Sequence, residues 1–142
     1  MRELLRVVVK RYNSKVFRLS RADRFRNHSF QQRPMSNVTQ RYTEAEKLKN
    51  SGKPEEAAQI LRSLLEDDPS HALSHMALAR ILTGLSQHED AVAHAEKACE
   101  LEPDDAINFS LLSLTYQRAF AGTGDQRYIR MAEDAMARSR SL

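Results

Sequence analysis

Pro69 and Pro103 lie 34 residues apart, and the same interval separates Ala57 from Ala91 and Leu64 from Ala98. A fixed period of this length marks an internal repeat, and this feature most constrains the fold. Each period ends with an acid before proline, Asp68-Pro69 and Glu102-Pro103. Between the prolines apolar residues recur at helical spacing, as in Ala57, Leu61, Leu64 and Leu65, then Ala91, Ala95 and Ala98. One such unit cannot bury its apolar stripe alone, so successive units must stack into a solenoid with a concave surface.

Composition agrees with a small Ala/Leu-packed helical domain: 142 residues, 41% apolar, 6% aromatic and no Trp. The net charge of +3 hides a split. Residues 1–34 hold ten Lys/Arg against two acids, and residues 35–142 hold twelve against seventeen. The domain organisation expected is therefore a basic N-terminal arm, 1–34, followed by a helical repeat domain, 35–142. Short of apolar residues and rich in charge, the arm is expected to be disordered. Its Arg- and Ser-bearing, acid-poor composition also fits an organellar transit segment. Basic residues interleaved with Phe17, Phe25 and Phe30 would also suit nucleic acid or an anionic membrane, and nucleic acid is expected only through this arm. Met35 stands where the composition changes sign and reads as a natural start. Cys99 is the single cysteine, so no intrachain disulfide forms. No apolar run approaches the ~18 residues of a membrane span. A cytoplasmic location is expected, or an organellar matrix if the arm is a transit segment.

Local signals divide residues 35–142 into helices. Asn37 and Gln40 read as a capping box opening a helix to about Asn50. Gly52 ends it. Pro54, followed by Glu55 and Glu56, opens a second helix that Pro69 stops. The next helix starts near Ser70. Ser86 and Glu89 read as a second capping box, and the helix they open stops at Pro103. A third pair begins at Asp104 or Asp105, with Phe109, Leu112 and Tyr116 on its apolar face. Its second member is less regular: Ala135 lies 37 residues beyond Ala98, which puts three extra residues into a permissive turn around Ala121–Asp125, with Gly122 and Gly124.

Small residues at the eighth position of the unit, alanine at the twentieth, small or apolar at the twenty-seventh and proline at the thirty-second resemble the tetratricopeptide repeat. The middle unit supplies Ala79, Ala91, Ala98 and Pro103, and the first supplies Ala45, Ala57, Leu64 and Pro69. The third matches at Leu112, Ser113 and Tyr116, then places Tyr128 where the alanine belongs. The resemblance spans about residues 38–139. It implies an all-α, right-handed superhelical solenoid of about three antiparallel helix pairs, and a non-enzymatic protein–protein interaction module that binds a peptide or helix in its groove.

Carried over to this chain, the groove falls on the first helix of each unit, at Tyr42 and Glu46, at Leu73, Met76 and Arg80, and at Ile107, Leu111, Leu114 and Arg118. Arg80 and Arg118 would anchor a carboxylate or a backbone carbonyl, and Met76 would supply an adaptable apolar contact. The same apolar groups would also serve as packing against an adjacent helix, since spacing alone does not separate a core stripe from a binding stripe. Chaperone-adaptor members of the family clamp a C-terminal carboxylate with Lys, Asn and Arg. The matching positions here are Tyr42, Glu46, Ala77, Ile107 and Leu111, which cannot do so. The alternative function is a self-assembling homodimer subunit. Its exposed C-terminal helix would associate through Met131, Ala132, Ala135 and Met136.

No catalytic constellation, cofactor motif or metal set is expected. His71 and His75 have the four-residue spacing of zinc ligands but lack a third partner. His88 and His94 read as structural or solvated. Cys99, beside Glu100 and Glu102, reads as a buried inert thiol. The Asp67-Asp68 and Asp104-Asp105 pairs read as caps and solvated charge.

Overall fold

A computed structural model describes the backbone of residues 35–142, with side chains from residue 37 onward. The chain divides into two units, Met1–Thr39 and Gln40–Leu142. Residues 1–34, and with them every expectation for the basic arm, lie outside the described residues. The described part of the first unit is the opening of helix α1. Apart from that opening, the structure below belongs to the second unit.

Six helices follow in order: α1 (Met35–Asn50), α2 (Pro54–Asp67), α3 (Ala72–Gly84), α4 (His88–Leu101), α5 (Ala106–Thr123) and α6 (Arg127–Ser141). There is no strand among the described residues. In sequence order, α2 packs on α3, α3 on α4, α4 on α5 and α5 on α6, and α3 also touches α5. That last contact brings together first helices of neighbouring units, which is what lines one face of a solenoid. Arg41 ties α1 to α2 through Asp67, at 2.6 Å, and through Ser63.

Repetition extends to the turns. After α1, Lys53 N–H donates to the Leu48 carbonyl; after α3, Gln87 N–H donates to the Leu82 carbonyl, each at 2.9 Å. Both are six-to-one Schellman bonds, and each requires a left-handed residue between. In the first turn that residue is Gly52, at φ 81°, and 34 positions later it is Ser86, at φ 58°. Ser86 is therefore a turn residue: α4 begins at His88 after Gln87, which makes no side-chain cap, so the expected Ser86–Glu89 capping box does not form. Asn37 likewise lies inside α1, which starts at Met35, and cannot be its cap. The caps that do form are His71 on α3, accepting from Ser74 N–H, and Asp105 on α5, accepting from Ile107 N–H at 2.7 Å.

The three residues inserted in the last unit do not make a loop. They lengthen α5, which runs to Thr123 and ends on Gly124 at φ 74°. Gly122 is helical and serves a close approach, because a Cβ there would fall 2.0 Å from Nε2 of His88. The core follows the alanine pattern: Ala57, Ala91, Ala95, Ala98, Ala132 and Ala135 are all buried, with Leu61, Leu64, Leu78 and Leu82 filling the space between helices. Tyr128, in the alanine's place, stacks on Tyr116 with ring centroids 5.9 Å apart, and Tyr116 donates to Glu96 at 2.6 Å. Ser113 Oγ donates to the Ala132 carbonyl at 2.7 Å and Ser139 Oγ to the Ala106 carbonyl at 2.9 Å, pinning α6 along α5.

Candidate functional site: the groove between first helices

Where α3 meets α5 an open hollow of about 460 Å³ is lined by Arg80, Thr83 and Gly84 from one helix and Leu111, Leu114, Thr115 and Arg118 from the other. Four of the residues expected in the groove (Arg80, Leu111, Leu114 and Arg118) thus come together. Leu111 is buried and forms the floor, whereas Leu114 stands 48% exposed. The Thr83 and Thr115 hydroxyls donate to the carbonyls of Ala79 and Leu111 one turn back, at 2.8 Å each. These threonines are thus turned to their own helices, and the free hydrogen-bonding capacity is cationic. Arg80 and Arg118 are exposed, and among the described residues neither forms an ion pair.

The other expected residues distribute around this hollow. Tyr42 lies near Arg80: burial raises its phenol above the usual value, Glu46 adds to this, and Arg80 opposes it. Its ring meets His71 edge-on at 6.2 Å. Glu46 is held by Lys49 one turn on, so its charge is matched within α1. Leu73 and Ile107, near the starts of α3 and α5, are 48% and 64% exposed. Met76 is placed differently from an adaptable surface contact. It is buried with Ala98 and Leu111, a methionine filling the junction of α3, α4 and α5. Thr115 and Gly84 complete the lining and were not anticipated. Thr115 lies four residues after Leu111, the spacing that keeps it on the same helix face.

A second hollow of about 550 Å³ lies between α5 and α6, with Phe120, Ile129, Ala132 and Met136 among its walls. Of the residues expected in self-association, Met136 lines it. Ala135 is buried in the core shared with Tyr116 and Ala132, and Met131 is exposed outside this hollow.

His71 and His75 serve structure. His71 caps α3, its Nδ1 2.7 Å from Ser74 Oγ. His75 is buried between the Pro69 carbonyl and His94. Among the described residues no three His, Cys, Asp or Glu side chains gather as a metal set would. Cys99 is buried, and desolvation, then Asp105 and Glu96, push its thiol up to about 11, which removes the thiolate needed for reactivity. No helix among the described residues is long and apolar enough to cross a membrane.

Residues 48–113 match the family model described as tetratricopeptide repeat. Over that stretch the chain carries the tetratricopeptide repeat. The solenoid resembles solved structures of MamA. A MamA mutant aligns at TM-score 0.55 and 16% identity, covering 70% of this chain and 73% of that one. The structure described as MamA MSR-1 C2 aligns at TM-score 0.56 and 17% identity, covering 89% and 72%. At such identities the likeness carries the fold. No curated protein matches the sequence.

Proposed function

We propose that the hollow between α3 and α5 holds an apolar peptide segment of a protein partner, and that acidic groups on this segment pair with Arg80 and Arg118. The observation that carries this reading is that two exposed guanidiniums, forming no ion pair among the described residues, line one hollow with the half-exposed Leu114. Arginine forks bind carboxylates bidentately, and an apolar floor rewards a segment that alternates acid with Leu or Ile. Exposed Leu73 and Ile107 extend the apolar path along the starts of α3 and α5.

The test is a fluorescence-anisotropy screen of short synthetic Leu/Glu peptides against their Leu/Lys and Leu/Gln counterparts. Preferential binding of the acidic set, weakened by Arg80→Glu and by Arg118→Glu but not by Arg62→Glu on α2, is the expected outcome. Equal binding of all three sets, or indifference to both groove substitutions, removes the proposal.

A further inference from the structure

The side of α6 that lines the hollow shared with α5 carries its own pattern. Ile129, Ala132 and Met136 repeat at three- and four-residue intervals along the second hollow, with Ala137 next to Met136 and Phe120 of α5 beside them. Ala132 is buried at the inner edge of this stripe, whereas Phe120 and Ile129 are exposed on its outer part, which no helix among the described residues covers. Two charges on the same face, Glu133 and Arg140, also line the hollow. Among the described residues neither forms an ion pair.

Their placement selects the neighbour. Glu133 and Arg140 are seven residues apart, two helical turns, and their midpoint falls between Met136 and Ala137 in the apolar stripe. An antiparallel helix related by a two-fold axis through that midpoint sets Met136 against Ala137 of the partner subunit. It also sets Glu133 against Arg140 of the partner subunit and, by symmetry, repeats that pair on the other side. A patch that satisfies itself when rotated onto itself is the requirement of a closed two-fold interface. The hollow between α1 and α2 is lined differently, with Arg41, Glu44, Glu56, Gln59 and Ser63 around Leu48 and Ile60, so a head-to-tail neighbour would meet a more highly charged surface there.

We propose that a second copy of this chain covers the α5/α6 end face, forming a two-fold dimer with α6 antiparallel to its mate and two Glu133–Arg140 pairs between subunits. Met136 and Ala137 supply the apolar centre of the contact, and the paired charges fix its register and direction. This contact is distinct from the α3/α5 groove and leaves that groove open in both subunits.

Sedimentation velocity of the full chain over a range of concentrations tests it, with circular dichroism of each variant to verify the fold. The wild type is expected to sediment as a dimer. Glu133→Arg and Arg140→Glu, each of which sets like charges together twice, are expected to weaken it by roughly tenfold or more. The double variant carrying both changes restores the opposite-charge pairs and is expected to recover the dimer. Recovery is the decisive readout, because a general loss of packing would be worsened by a second substitution. A chain monomeric at every concentration overturns the proposal, as does an open polymer. So does a dimer insensitive to both charge reversals, or a monomer that instead recruits a synthetic amphipathic helix to this face.

Discussion

His75 and His94 face each other nitrogen to nitrogen, their Nδ1 atoms 2.9 Å apart and their rings 5.2 Å between centroids, joining α3 to α4. His75 Nε2 lies 3.0 Å from the Pro69 carbonyl, an acceptor only, and so carries a hydrogen. In its neutral form His75 then accepts at Nδ1, and His94 donates from its own. Around His94 stand His75 from α3, Asp90 from its own helix and Arg62 from α2. Burial is the largest influence on His94 and lowers it, His75 and Arg62 lower it further, and Asp90 opposes them. A histidine lowered in the folded state takes up protons more readily when unfolded. The stability it contributes is therefore complete above the unfolded value, about 6.5, and is lost as pH falls through the lowered folded value. Urea melts at pH 7.5 and at successively lower pH should show the midpoint falling. In His94→Gln, whose amide can still donate to His75 but does not titrate, that fall should be smaller. An unchanged pH profile in this variant would separate the histidine pair from the acid sensitivity.

Ser86 holds a left-handed conformation in a turn that its first-unit counterpart makes with Gly52. A side chain in this region costs about 1–2 kcal/mol, part of which glycine returns as extra freedom in the unfolded chain. Ser86→Gly is thus expected to stabilise the protein by about 0.5–1 kcal/mol, read as a rise in the denaturation midpoint. Gly52→Ser should lower it by a similar amount.

Gly122 leaves room for the His88 ring, and a methyl group there would overlap it. Because the obstacle is the end of a side chain, Gly122→Ala is expected to cost about 1–2 kcal/mol and no more. His88→Ser should relieve most of this, so a double-mutant cycle should return a coupling energy between the two positions. Additive effects would mean that the ring turns aside freely.

Asn108 is buried, and its amide donates to Glu102 at 3.1 Å and toward the Ala98 carbonyl at 3.4 Å. This ties the start of α5 to the end of α4. Asn108→Asp would replace a donor with a carboxylate facing two acceptors, and about 2–3 kcal/mol of destabilisation is expected at neutral pH. Adding Glu102→Gln, which supplies a donor, should recover part of the loss in thermal melts.

Much of this architecture is visible in the residues because the repeat reports each core position more than once. Ala57 and Ala91 are buried as their shared interval implies, and Ala132 and Ala135 follow Ala95 and Ala98 into the core despite the stretched spacing. The turns were harder. Ser86 resembles a helix cap in isolation, and only its equivalence to Gly52 shows that it bends the chain. Gly122 and Gly124 look alike as a loop signal, yet one lies within a helix under a ring and the other ends it, a difference set by His88 from a separate helix. In the groove, Arg80, Leu111, Leu114 and Arg118 follow from unit position. Met76 shares that helical face but is buried, because Ala98 is small enough to admit it, and spacing carries no information about depth. The His75–His94 pair joins residues nineteen apart and has no local signature.

The lengthened α5 has a consequence for modularity. Copying the 34-residue middle unit onto the C-terminus would not continue the array, because three added residues advance the α5 axis by about 4.5 Å and turn it about 60° short of a full revolution. A grafted helix pair would thus meet α6 displaced along its length and rotated away from its apolar stripe. The last period thus differs from the others in the length of α5 while its α6 alanines keep their core places, so the repeat interval and the packing interval are separate quantities in this chain.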